Sequence, residues 1–157
     1  MKQILSFLVL AVFLQGLWGC SGESSAQSSS PASQFFELNK GQFPENGLFT
    51  KKQTKILSSQ GDYAVELATY TSATPASVDF TNGKVLLVDM GPRGGSGYSI
   101  GVTSVDVTDN SVVANVRLVK PGPSCVVLTV ETNPYQFVFI PSLKEILVSE
   151  RLEVINC

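Results

Sequence analysis

Histidine is missing altogether from this 157-residue chain, and its absence removes whole classes of chemistry. No Ser-His-Asp or Cys-His catalytic arrangement can be built, nor any zinc site that needs imidazole. Charge is scarce as well. Eleven Lys or Arg stand against thirteen Asp or Glu, for a net charge of −2, so the basic footprint of a nucleic-acid binder is lacking and no nucleic-acid partner is expected. A Ser-Lys dyad or a carboxylate pair stays formally open. Yet the carboxylates group only as Glu145, Glu150 and Glu153, which read more simply as the solvated face of the final strands. No enzyme, cofactor or metal is expected. Past residue 19 no run comes near the roughly 20 apolar residues of a spanning helix.

What is present begins with a leader. Met1-Lys2-Gln3 supplies one positive charge, Ile4 to Val12 is almost unbroken apolar sequence, and Leu17-Trp18-Gly19-Cys20 closes it. This is the pattern of a lipoprotein signal peptide over residues 1–19. Gly19 lets a peptidase approach the bond before Cys20, whose thiol is the nearby group able to accept a diacylglyceryl thioether. Cys20 is then the lipidation site and the membrane is a partner through that anchor. The alternative is ordinary secretion with an unmodified thiol. By resemblance to Gram-negative lipoproteins, Ser21 in place of Asp favours outer-membrane sorting, in a bacterial cell envelope.

The next fourteen residues, Ser21 to Gln34, hold seven Ser with Gly22 and Pro31. They have no apolar periodicity to offset chain entropy, so residues 20–34 read as a flexible tether with a reach of about 20 Å. Residues 35–157 remain as one domain, long enough for a single hydrophobic core. Cys125 and Cys157 are the two cysteines left over, and an even pair in an oxidising compartment reads as a disulfide. Closing that loop stabilises the fold by about 3 to 4 kcal/mol on the chain-entropy account. A metal pair or a reactive thiol are the competing readings, and neither has a histidine to support it.

Along the domain, Gln34 to Leu38 and Thr54 to Leu57 read as short strands, with a turn at Gly41 to Gly47. Ser59 and Asp62 resemble a capping box, and Tyr63, Leu67 and Tyr70 recur at helical spacing, so one helix is expected over 60–70. From Val78 onward the period becomes two. Lys84 to Met90 is apolar enough to be buried on both faces. Ser99 to Val107 changes phase, which predicts a bulge near Thr103-Ser104. Asp109-Asn110 is a hairpin turn, Val112, Ala114, Val116 and Leu118 share one face, and Pro121-Gly122-Pro123 breaks the strand. Cys125 to Val130, Tyr135 to Ile140, Leu143 to Ser149 and Leu152 to Ile155 complete a run of short strands. The expected fold is mostly β, an antiparallel sandwich or partly open barrel with one short helix.

The loop Gly91-Pro92-Arg93-Gly94-Gly95-Ser96-Gly97-Tyr98 carries most of the functional interest. Its glycines allow positive φ and close approach, Arg93 offers a planar donor fork, and Tyr98 an amphipathic ring. Arg93, Gly94, Gly95, Gly97 and Tyr98 form a candidate partner-binding loop for a carboxylate, a peptide backbone or a protein. The structural alternative is a bulged connection, with Arg93 paired to a carboxylate and Tyr98 in the core. It is no phosphate loop, because the Lys-Ser/Thr ending is absent and a strand follows. Asp79 caps a turn or accepts from amides, Phe80 belongs to the core, and Thr132-Asn133-Pro134-Tyr135 is a strand entry. Phe137 and Phe139 alternate with Val138 and Ile140. If the helix does not cover the face they share, that face is a partner site.

Val78-Asp79-Phe80, MGPRGGSGYSI from Met90, and NPYQFVFIP from Asn133 occur in an order that resembles the PrcB C-terminal domain family, over about residues 50 to 157. The resemblance implies an exported, non-enzymatic domain. In the founding case this is a lipoprotein that associates with a protease and supports its maturation or stability. The GGSG stretch departs from the family's Thr or Ser followed by two glycines before the Tyr, so the loop's role is not carried over from it. The expected function is a membrane-anchored accessory or stabilising subunit, with an exported protease as the implied partner. A small β-sandwich protease inhibitor is the alternative, but the Asn-Pro-Thr-Thr-Gly and Arg-Pro-Trp segments of chagasin-type inhibitors are absent, and Trp18 leaves with the leader. A structural envelope lipoprotein is the third possibility.

Overall fold

A computed structural model of the chain describes residues 34–46 and 51–157. The leader, Cys20 and nearly all of the tether lie outside these residues. The elements run β1 (Phe36–Gly41), β2 (Gln53–Leu57), α1 (Gln60–Leu67), β3 (Lys84–Asp89), β4 (Ser99–Val107), β5 (Ser111–Pro121), β6 (Tyr135–Ile140) and β7 (Glu145–Ile155). They form a four-stranded sheet in the order β1-β6-β3-β2 and a three-stranded sheet in the order β4-β5-β7. The described residues are mostly β with one short helix, in a sandwich-like arrangement.

Period-two patterning explains why the sheets face each other. Leu86 and Val88 of β3 and Val138 and Ile140 of β6 point inward. They meet Ile100, Val102 and Val105 of β4, the Val112 to Leu118 face of β5, and Ile146 of β7. The other face of β3 and β6 carries Val85, Leu87, Tyr135 and Phe137, and the helix side closes over it through Tyr63, Leu67 and Tyr70. Tyr63 lies 5.8 Å and Tyr70 5.4 Å from the Phe137 ring, centre to centre. The Phe137 face is therefore covered, and burying that one side chain contributes roughly 1.5–3 kcal/mol.

Local signals place several boundaries. Ser59 caps α1 by accepting from the Asp62 amide at 3.1 Å, while its hydroxyl donates to the Asp62 carboxylate at 2.8 Å. The helix ends at Leu67 rather than Tyr70, because Thr69 and Tyr70 bond back three residues to Glu66 and Leu67 and so tighten the last turn. Tyr70 still reaches the core. The register of β4 on β5 shifts between Val102 and Ser104, at the bulge expected from the phase change. The Val102 amide there donates to the side chain of Gln136 at 2.7 Å, which ties the two sheets together.

Three strand expectations are corrected. The pair β5–β7 is parallel, from Ser111↔Glu145 to Pro121↔Ile155, because β6 between them lies in the other sheet and no hairpin forces reversal. That continuous pairing also makes β7 one strand rather than two, since Glu150-Arg151 has a partner at every step. Cys125 to Val130 is not a strand. Leu128 bonds instead to Ser96 of the glycine-rich loop, and the Cys125 and Val130 amides donate locally to the Gly122 and Leu128 carbonyls.

Candidate functional site

Gly91 to Tyr98 carries the chain from β3 in one sheet to β4 in the other. Two of its glycines are needed for their backbone. Gly91 has φ +73°, and a Cβ there would lie 2.6 Å from the Lys52 amide nitrogen; Gly97 has φ +87°. The loop is laced to the segment before β6. Arg93 and Thr132 exchange backbone bonds of 2.7 and 2.8 Å, Ser96 and Leu128 exchange bonds of 3.1 and 2.9 Å, and the Thr132 hydroxyl donates to the Gly95 carbonyl at 3.1 Å.

Beneath the loop sits a buried polar cluster. The Asp89 carboxylate accepts from the Gly91 amide at 2.7 Å, from the Asn133 side chain at 2.6 Å and from the Tyr70 hydroxyl at 2.5 Å. A buried carboxylate is tolerated only when donors replace water around it, so these bonds fix where β3 ends and where the loop begins.

The structure brings Arg93 and Tyr98 together. The Arg93 guanidinium lies 6.0 Å from the Tyr98 ring centre, and its Nη2 donates to the Met90 carbonyl at 2.6 Å. Among the described residues no carboxylate pairs with Arg93, so the ion pair expected under the structural alternative is replaced by a carbonyl and an aromatic face. Tyr98 is half-buried against the edge of the main core. Gly94 is exposed and Gly95 buried. Asp79 caps its turn, accepting from Thr81 and Asn82, and Phe80 packs on the helix-side core.

Two depressions flank Tyr98. One, of about 460 Å³, lies between the sheets and is lined by Lys52, Met90, Arg93, Tyr98, Leu118, Lys120, Glu150 and Leu152. Its floor follows from register, because Leu118 and Leu152 are direct partners on β5 and β7 and Lys120 continues the same face. Lys52 is ion-paired with Glu150. Three cations against one carboxylate make this a positive, partly apolar cleft on a chain of net charge −2. The other depression is apolar and involves Phe43, Leu128 and Val130. Beside it Val126 is 99 % and Leu128 71 % exposed.

The disulfide Cys125–Cys157, with Cα atoms 4.9 Å apart, fastens the start of this apolar segment to the residues after β7. Sequence reasoning missed Lys52, Lys120, Glu150 and Leu152 as neighbours of the loop. The alternation on β5 signalled where Lys120 points, but nothing local signalled that β7 would lie beside it. The groups with displaced pKa values, Glu45, Tyr63, Asp79 and Tyr135, lie away from the cleft. Chemically, the arrangement suits binding of an anionic, partly apolar group.

No curated protein and no solved structure matches the chain. A family model described as PrcB C-terminal matches residues 84–141, from the first residue of β3 through the loop to the end of β6. The match is narrower than the stretch of sequence resemblance and leaves out Val78-Asp79-Phe80. It contains both the loop and the Asn133 segment that the Asp89 cluster joins, and over residues 84–141 the chain is similar to the PrcB C-terminal family.

Proposed function

We propose that this protein is a non-enzymatic envelope lipoprotein, anchored through Cys20, that binds a protein partner as an accessory or stabilising subunit of an exported protease complex. The family name supports the protease connection. The observation that carries the binding role is the apolar strip Val126, Val127, Leu128 and Val130 with Phe43, all exposed. Contiguous apolar surface of this kind marks interaction sites on soluble domains. Here it is also held in place, by the disulfide at one end and the Ser96 and Thr132 bonds at the other. Fixing a loop in advance lowers the ordering cost of association.

Co-purification of the tagged full-length protein from detergent-solubilised envelope, with peptidase assay of the eluate, tests this reading. An active protease in the eluate supports the accessory role. A protease that is present but silent favours inhibition, and no protease leaves a structural envelope protein. Cys20→Ala is expected to release the protein from membranes with its unfolding midpoint unchanged.

A further inference from the structure

Strand β7 ends its sheet: β5 pairs with it along all eleven residues, and among the described residues no strand takes its other edge. An edge of that length presents a row of unpaired N–H and C=O groups. Its far half is also poorly covered. Inward-facing Leu152 is 56 % exposed, and Val154 is exposed as well. Across the opening, Ile56 of β2 is another inward-facing apolar side chain left exposed. The sandwich is thus open along the side where β2 and β7 face each other, with the positive cleft at one end of that opening.

We infer that an extended, acidic segment of the protein partner adds to the free edge of β7 and places a carboxylate in the cleft, against Arg93 and Lys120. The inference rests on the accessory reading above and deepens it. In strand addition, main-chain bonds to the edge give affinity, and alternate side chains entering pockets give specificity. The period of two sends every second side chain of the added strand inward, over Leu152 and Leu118. Charge selects the occupant. Glu150 is engaged by Lys52, Arg93 is anchored by Met90 and Tyr98, and Lys120 has no carboxylate partner among the described residues. A basic segment would bring like charge into a site that already holds three cations. A volume of about 460 Å³ is within the range of ligand pockets and suits a few side chains rather than a folded surface.

The test places a photo-crosslinking residue in the tagged full-length chain, as Leu152→benzoylphenylalanine at the cleft or Val126→benzoylphenylalanine on the apolar strip, in cells that carry the native envelope. Cross-linked peptides are mapped by mass spectrometry, and the mapped segment is synthesised as the probe. The expected result is that position 152 cross-links a partner segment containing Asp or Glu. That peptide should bind the unmodified protein about fivefold more tightly than Lys120→Glu, as for a partly exposed ion pair, with Lys120→Ala between them. N-methylation of alternate backbone amides in the peptide should weaken binding further. Unchanged unfolding midpoints for both Lys120 variants keep the comparison fair.

If position 152 cross-links only this chain, a second copy, or a segment without acid while position 126 still captures a protein, the cleft inference falls and the accessory reading stands. Equal affinity for Lys120→Glu also overturns the inference. If neither position captures a protein, both fall.

Discussion

Asn133 donates its side-chain amide to Asp89 across 2.6 Å, joining the residue that ends β3 to the residue that precedes Pro134 at the entry to β6. The two halves of the family segment meet at this bond. Asn133→Ala leaves a fully buried carboxylate short of one donor, and an unsatisfied buried acceptor costs about 1–3 kcal/mol. Urea unfolding should show a lower midpoint with an unchanged slope. A loss below about 0.5 kcal/mol would mean that Gly91 and Tyr70 suffice for Asp89.

Two glycines of the loop should respond unequally to alanine. Gly91→Ala puts a Cβ against the Lys52 backbone in a left-handed conformation, and the conformational term alone is about 1–2 kcal/mol. Gly94 has open space where its Cβ would stand, so Gly94→Ala should stay within about 0.5 kcal/mol of the parent. Thermal denaturation of the pair checks this, and equal losses at the two sites would contradict the assigned backbone.

Cys125 and Cys157 should be unreactive to alkylation under denaturing, non-reducing conditions, with intact mass as the readout. The bridge spans a sequence separation of 32, so the Cys125→Ser/Cys157→Ser double variant should lose about 3 to 4 kcal/mol on the chain-entropy account. Free alkylation of both thiols would sink the prediction.

Stability should fall in acid through Glu45 and Asp79. The Ser72 amide and hydroxyl, with the Thr71 hydroxyl, hold the Glu45 carboxyl below its ordinary 4.5; the Thr81 hydroxyl and amide hold Asp79 below its ordinary 3.8. Both folded values are depressed, so in this window the unfolded chain binds more protons and stability rises with pH. The contribution is whole above the ordinary values and is lost as pH drops through the lowered ones. Glu45→Gln should flatten that acid limb, measured as urea midpoints from neutral pH to below 3.8. An identical limb would assign the acid sensitivity elsewhere.

Features set by adjacent residues were legible in the sequence. Tyr135–Ile140 has the boundaries its alternation gave, and the change of phase in Ser99–Val107 marked the bulge, because side-chain direction alone fixes both. The parallel pairing of β5 with β7 was not legible. It depends on which sheet receives β6, and no residue of either strand records that. Val126 to Val130 misled for a related reason: β-branched residues suit a strand, but only the missing ladder partner would have made one. The same limit divides the candidate site. Glycine content marked the loop holding Arg93 and Tyr98, whereas Lys52, Lys120, Glu150 and Leu152 join it only through the way the sheets stack.

The parallel pairing of β5 and β7 has a kinetic side. A hairpin strand meets its partner within a few residues, as β4 meets β5, but β5 must wait for the chain through Ile155 to be made before its second ladder is complete. Contacts of that separation form late and slowly. In a chain emerging from its amino end, β5 therefore stands bare on one side while β6 is already being threaded into the other sheet, and the last eleven-residue strand moves the free edge of that sheet from β5 to the chain's final element.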